Sequence, residues 1–131
     1  MAGVSLVALT HMNNRAFLSR CQTGASTVAQ NQIDLILSDM PFNPQKGQVP
    51  TELAIGTTTS GTASSPTLPI YTDPKTGIVS VYGWISTTVA DLGTSYNGTA
   101  LNTYQATVTV SYKYKGRSYA VTLNTLRASD I

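Results

Sequence analysis

Chemistry-bearing residues are scarce in this chain. It holds one cysteine, Cys21, and one histidine, His11, and only 11% of its residues are charged. A single cysteine rules out an intrachain disulfide. His11 has no second imidazole to share a metal with and no carboxylate within a helical turn, so neither a metal site nor an acid–base pair can form around it locally. The carboxylates Asp34, Asp39, Glu52, Asp73, Asp91 and Asp130 are scattered, without paired acid–base or calcium-loop spacing. Eight Lys/Arg against six Asp/Glu give a net charge of +2, too little to argue for nucleic-acid binding. Long hydrophobic runs are missing as well. The apolar stretch AGVSLVAL at 2–9 runs into THMNNR, well short of the roughly 20 residues of a membrane span. It also lacks the charged start and cleavage site of a signal peptide.

What is present is neutral polarity, carried by Thr, Ser, Asn and Gln. That surface suits secreted or assembled proteins better than a cytosolic enzyme. A length of 131 residues implies one domain, in three zones. Residues 4–40 read as one helix. Leu18, Cys21, Ala25, Ala29, Ile33, Ile36 and Met40 recur at steps of three and four, and Val28 and Leu37 widen the stripe. Gly24 lies inside it and costs about 1 kcal/mol against Ala, unless small residues there serve close packing. Pro41 ends the helix, because a residue before proline leaves the α region. Such a helix is about 54 Å long at ~1.5 Å per residue, too long for the core of this chain. Its first half is expected to project or to pack on other chains, and its second half to cover a sheet.

Residues 41–69 read as a variable loop. PFNPQKGQVP and GTTTSGTASSPTLP are rich in Pro, Gly, Ser and Thr and offer little to bury. Residues 70–131 read as antiparallel sheet. A short edge strand reaches Tyr71, a turn follows at Asp73-Pro74-Lys75-Thr76-Gly77, and a strand begins at Ile78. There Val79, Val81, Gly83 and Ile85 alternate with Ser80, Tyr82, Trp84 and Ser86. Asn97-Gly98 marks the next turn. The last zone holds the cleanest pattern. Apolar residues fall at Ala106, Val108, Val110, Tyr112 and Tyr114, then at Tyr119, Val121 and Leu123, so their parity switches. A two-residue turn at Lys115-Gly116 pairs Tyr112 with Tyr119, Val110 with Val121 and Val108 with Leu123 on one face. A slip of one residue would split that face. Helix first and sheet afterwards is α+β organisation.

The remaining candidates take structural readings. Cys21 lies on the apolar stripe and reads as a small buried hydrophobe. His11 reads as a solvated helix residue. Lys113, Lys115 and Arg117 cluster with Tyr112, Tyr114 and Tyr119 at the hairpin tip; a solubilising tip accounts for them more simply than a nucleic-acid site. Asn97-Gly98-Thr99 fits a glycosylation sequon, and a turn asparagine explains it more cheaply. No residue is assigned as catalytic, cofactor-binding or metal-binding, no cofactor is implied, and an enzyme is the least favoured class.

The order of long helix, loop and compact sheet resembles the type IV pilin and pseudopilin superfamily. The ending VTVSYKYKGRSYAVTLNTLRASD, with Thr125, Leu126 and Arg127, looks like that of V-type minor pilins and I-type minor pseudopilins. AQNQIDLILSDMPFNP resembles their helix end and exit loop. The family's processing site, a Gly–Phe junction with Glu at the fifth mature position, is absent from these residues, and VSLVAL would be the tail of its apolar half-helix. The resemblance implies a single pilin-like domain over 1–131, with a long helix on an antiparallel sheet. It also implies a non-catalytic subunit of a pilus-like or type II secretion filament in the bacterial cell envelope or at the cell surface. Its partners would be other pilin or pseudopilin subunits, met through the N-terminal helix, and the membrane only through a longer apolar N-terminus; no nucleic acid is expected. The alternative class is a secreted or surface-exposed adhesive module that binds a ligand on its loop and sheet edge.

Overall fold

The computed structural model describes residues 2–128 except 94, 97, 98, 101 and 102. For residues 2–14, 45, 95, 96, 99 and 100 it describes the backbone alone. One helix, α1 (Ala2–Ser38), lies on an antiparallel sheet, as the α+β reading expects. Among the described residues seven strands follow: β1 (Gly56–Ser60), β2 (Leu68–Thr72), β3 (Val79–Asp91), β4 (Ser95–Tyr96), β5 (Thr99–Ala100), β6 (Tyr104–Tyr114) and β7 (Arg117–Arg127). The main sheet runs β1-β3-β6-β7. β2 shares the outer edge of β3 with β1, end to end: β1 pairs with residues 85–89 of β3 and β2 with residues 79–83. β4 and β5 form a separate small ribbon. The Asn97-Gly98 turn and its sequon fall outside the described residues.

The helix buries the stripe that its periodicity marks. Cys21, Ala25, Ala29, Ile33 and Ile36 are buried against Ile70, Val81, Val89, Ala106, Val108, Val110 and Tyr112 of the sheet. Small side chains let the two layers approach closely. A Cβ on Gly24 would stand 2.1 Å from the Ile70 carbonyl oxygen, so glycine there seats the helix on β2. About two turns earlier on the helix, Phe17 packs between Tyr71 and Tyr114, with ring centroids 5.0 and 4.9 Å away.

The hairpin β6–β7 has the expected register. Tyr112 faces Tyr119, Val110 faces Val121 and Val108 faces Leu123. Lys115 (φ 50) and Gly116 (φ 77) form the two-residue turn. Both φ values are positive, as a type I′ turn requires, and lysine fills a position where Asn or Asp is commoner.

Three expectations need correction. The stripe stops at Ile36, leaving Leu37 43% and Met40 69% exposed. The helix ends at Ser38, and Leu37 sits about 100° round from Ile36. Residues 41–69 are not simply a loop. They contain β1 and two single 3₁₀ turns, Pro44–Lys46 and Thr51–Leu53. Nor are they poor in buried side chains: Phe42 and Leu53 are completely buried at the end of the core. Each contributes about 1.5–3 kcal/mol by leaving water. Finally, β3 begins at Val79, with Ile78 66% exposed in the turn before it.

Candidate functional site

The most organised polar cluster sits where the helix ends against the last strand. No basic residue occupies the last turn of α1. The Arg127 guanidinium comes instead from the end of β7. Its Nη1 donates to the carbonyl oxygens of Ile36, at 2.8 Å, and Leu37, at 2.5 Å. Those carbonyls have no partner within the helix, and they carry the negative end of its dipole. Arg127 is only 7% exposed, and its charge lies 5.5 Å from the centre of the buried Phe42 ring. Phe42 in turn packs edge-on against Tyr104. The Thr-Leu-Arg ending thus carries the helix cap of this fold.

Beside this joint the structure brings together two acids that are far apart in sequence. The Glu52 carboxyl lies beside the Asp39 carboxyl. That contact is the main reason the Glu52 carboxyl is held above its ordinary range. Its own backbone N–H opposes the shift, while burial and the Asp39 charge add to it. Glu52 Oε2 is buried without a hydrogen-bond partner. A small polar hollow of about 150 Å³ adjoins it, lined by Gln32, Thr51, Thr58 and Thr87. The spacing of the acids in sequence gave no sign of the pair, because Asp39 ends a helix and Glu52 sits in a 3₁₀ turn folded back on it.

The other candidates separate. Cys21 is fully buried, and burial pushes its thiol up, away from the thiolate needed for reactivity. The side chain of His11 lies outside the described residues. At the hairpin tip Lys113, Lys115 and Arg117 are exposed, but Tyr112 is buried and stacks on Tyr119 on the core side. Lys115 Nζ lies 5.5 Å from the centre of the Tyr114 ring, so one base and one ring meet at the tip, while Tyr112 and Tyr119 lie against the core. Asp73 receives the Lys75 N–H on Oδ1 at 2.9 Å, the turn role expected of it. Among the described residues no three of His, Cys, Asp and Glu come together as a metal-binding group. Among them, too, no helix is long and apolar enough to cross a membrane.

Two surfaces remain. One is a groove of about 560 Å³ between the helix and β7, lined by Ser19, Gln22, Thr23, Ser26, Thr27, Gln30, Asn31 and Leu123. The other is the outer face of the sheet, where two rows of short polar side chains cross all four strand positions. Thr57, Thr88, Thr107 and Asn124 form one, and Thr59, Ser86, Thr109 and Thr122 the other. Hydroxyl pairs bridge neighbouring strands at Thr57–Thr88 (3.1 Å) and Thr109–Thr122 (3.3 Å). Comparison with known protein families, with curated proteins and with solved structures found no match.

Proposed function

We propose that this chain is a non-catalytic structural subunit, a minor pilin or pseudopilin, of a type IV pilus-like or type II secretion filament in the bacterial cell envelope. The observation that carries this reading is the length of α1 against the sheet beneath it. The helix has 37 residues, about 56 Å at ~1.5 Å each. Among the residues whose side chains are described, its buried stripe occupies 21–36, with Phe17 packed at the margin. The stretch before it carries Val4, Leu6, Val7 and Leu9. Apolar side chains in such an extension are usually covered by other molecules. Other pilin-like helices are the partners the reading assigns to them. A subunit of this kind needs no catalytic set; its work is done by shape and by neighbours.

The test is crosslinking in the native host, with a photoreactive group attached at Leu9→Cys. Crosslinks to other pilin-like subunits are the expected result. A protein found only unassembled, whose deletion leaves filament assembly and secretion intact, would overturn the reading.

A further inference from the structure

Among the described residues two sheet edges are open. β7 forms one along its whole length, and β1 forms part of the other. Neither β7 nor β1 itself has the usual protection of proline, bulge or interior charge, although β2 beside β1 carries Pro69 and register shifts. β7 pairs with β6 without a register break, and its charges, Arg117 and Arg127, stand at its two ends. β1 (GTTTS) has no charge, and all its residues are exposed.

The hairpin fixes which backbone groups point outward. A type I′ turn closes on a hydrogen-bonded pair, here Tyr114 and Arg117. Bonded and non-bonded pairs alternate from there. The outward N–H and C=O groups of β7 therefore belong to Ser118, Ala120, Thr122, Asn124 and Leu126. Carried across β6 and β3 by their registers, the same alternation assigns the outward groups of β1 to Thr57 and Thr59. Both sets carry their side chains on the outer face. Because an even number of positions lies across the sheet, β1 and β7 also run antiparallel to each other. A second copy in the same orientation can thus lay its β1 against β7 with direction, bonding groups and faces all matched.

We propose that copies of this chain join head to tail, with β1 of one paired to β7 of the next. Setting Thr59 of the second copy opposite Thr122 sets its Thr57 opposite Asn124. Both rows of the outer face then run on unbroken, and they extend the kind of hydroxyl contact already made by Thr109 and Thr122. On the inner side Gly56, Thr58 and Ser60 of the second copy come over the groove whose lining includes Ser19, Thr23, Ser26 and Thr27. Short neutral side chains meet a neutral lining, so no charge is stripped of water without a partner. The contact is heterologous and does not close on itself, so it builds chains rather than a symmetric dimer.

Sedimentation velocity of the full chain over a concentration series reads the assembly. Species larger than a dimer should grow in with concentration. Thr122→Pro removes one outward N–H of β7 and leaves the β6 ladder intact; Thr59→Pro does the same on β1. Each variant alone should remain monomeric. Their equimolar mixture should form dimers and stop there, because one competent junction remains per pair. A chain that is monomeric at every concentration overturns the proposal. So does assembly indifferent to both prolines, which is what helix-driven association would give. Dimerisation of Thr59→Pro alone overturns it in favour of symmetric β7 pairing. Hydrogen exchange on the unsubstituted chain tests the same contact without a variant. The amides of Thr57, Thr59, Thr122 and Asn124 should slow as concentration rises, and unchanged exchange overturns the proposal as well.

Discussion

Arg127 joins chain segments 91 residues apart through its bond to the Ile36 carbonyl. Truncation to Arg127→Ala would strand two helix carbonyls and open space beside Phe42. A hydrogen bond to a charged group contributes about 1.5–3 kcal/mol, and losing its packing adds to that. A loss of about 2–4 kcal/mol is expected, read as a lower urea midpoint at unchanged slope. Arg127→Lys should recover only part of it, since one ammonium does not reproduce the planar fork. A loss below about 0.5 kcal/mol, the range of ordinary surface substitutions, would contradict the capping role. Glu52 gives a second test at this scale. Its carboxyl is raised above the ordinary range, chiefly by its interaction with the Asp39 carboxyl. A raised folded pKa means the native state holds this proton more tightly than the unfolded chain does. The contribution is therefore full below the unfolded pKa and fades as pH rises through the folded one. Denaturation midpoints taken upward from about pH 4 should carry this falling component, and Asp39→Asn should remove it. Identical pH profiles for the two proteins would sink the pairing.

Among the elements, those with a strong period were legible and those fixed by distant partners were not. The β6–β7 register follows from the parity switch across Lys115-Gly116, because a slip would turn Val108, Val110 and Tyr112 out to solvent. The helix face was equally readable from 21 to 36. Its end was not: Leu37 and Met40 continue the three-and-four spacing, yet the chain turns at Asp39 and Pro41 before their turn of helix can form. β1 was missed because all five of its residues are exposed, so no apolar alternation marks it. Its threonines favour extended backbone, but it is a strand only because the edge of β3 offers a ladder. Phe42 and Leu53 were hidden in a Pro- and Gly-rich stretch whose average polarity masked two core residues. Arg127 was visible as part of the Thr-Leu-Arg ending, but its task could not be read without knowing which helix carbonyls lie above it.

For the whole molecule, the proposed function has one long helix serve two environments, and its halves should then separate in experiment. The 21–36 segment closes the core, whereas nothing in the stability of the sheet domain is assigned to residues 2–14. Removing 2–14 should leave the melting temperature within about 3 °C, less than the shift expected from 1 kcal/mol in a small domain. Ile33→Asp should do the opposite. Ile33 is 6% exposed between helix and sheet, so an aspartate there loses apolar burial and gains a desolvated charge. A cost above about 3 kcal/mol is expected, enough to unfold much of a marginally stable domain. The two measurements together discriminate. If the deletion lowers the melting temperature as far as Ile33→Asp does, the first half of the helix is part of the core rather than a surface for neighbours. If the deletion leaves stability intact and removes the crosslinks formed from Leu9, folding resides in the C-terminal half of the helix and assembly in the N-terminal half.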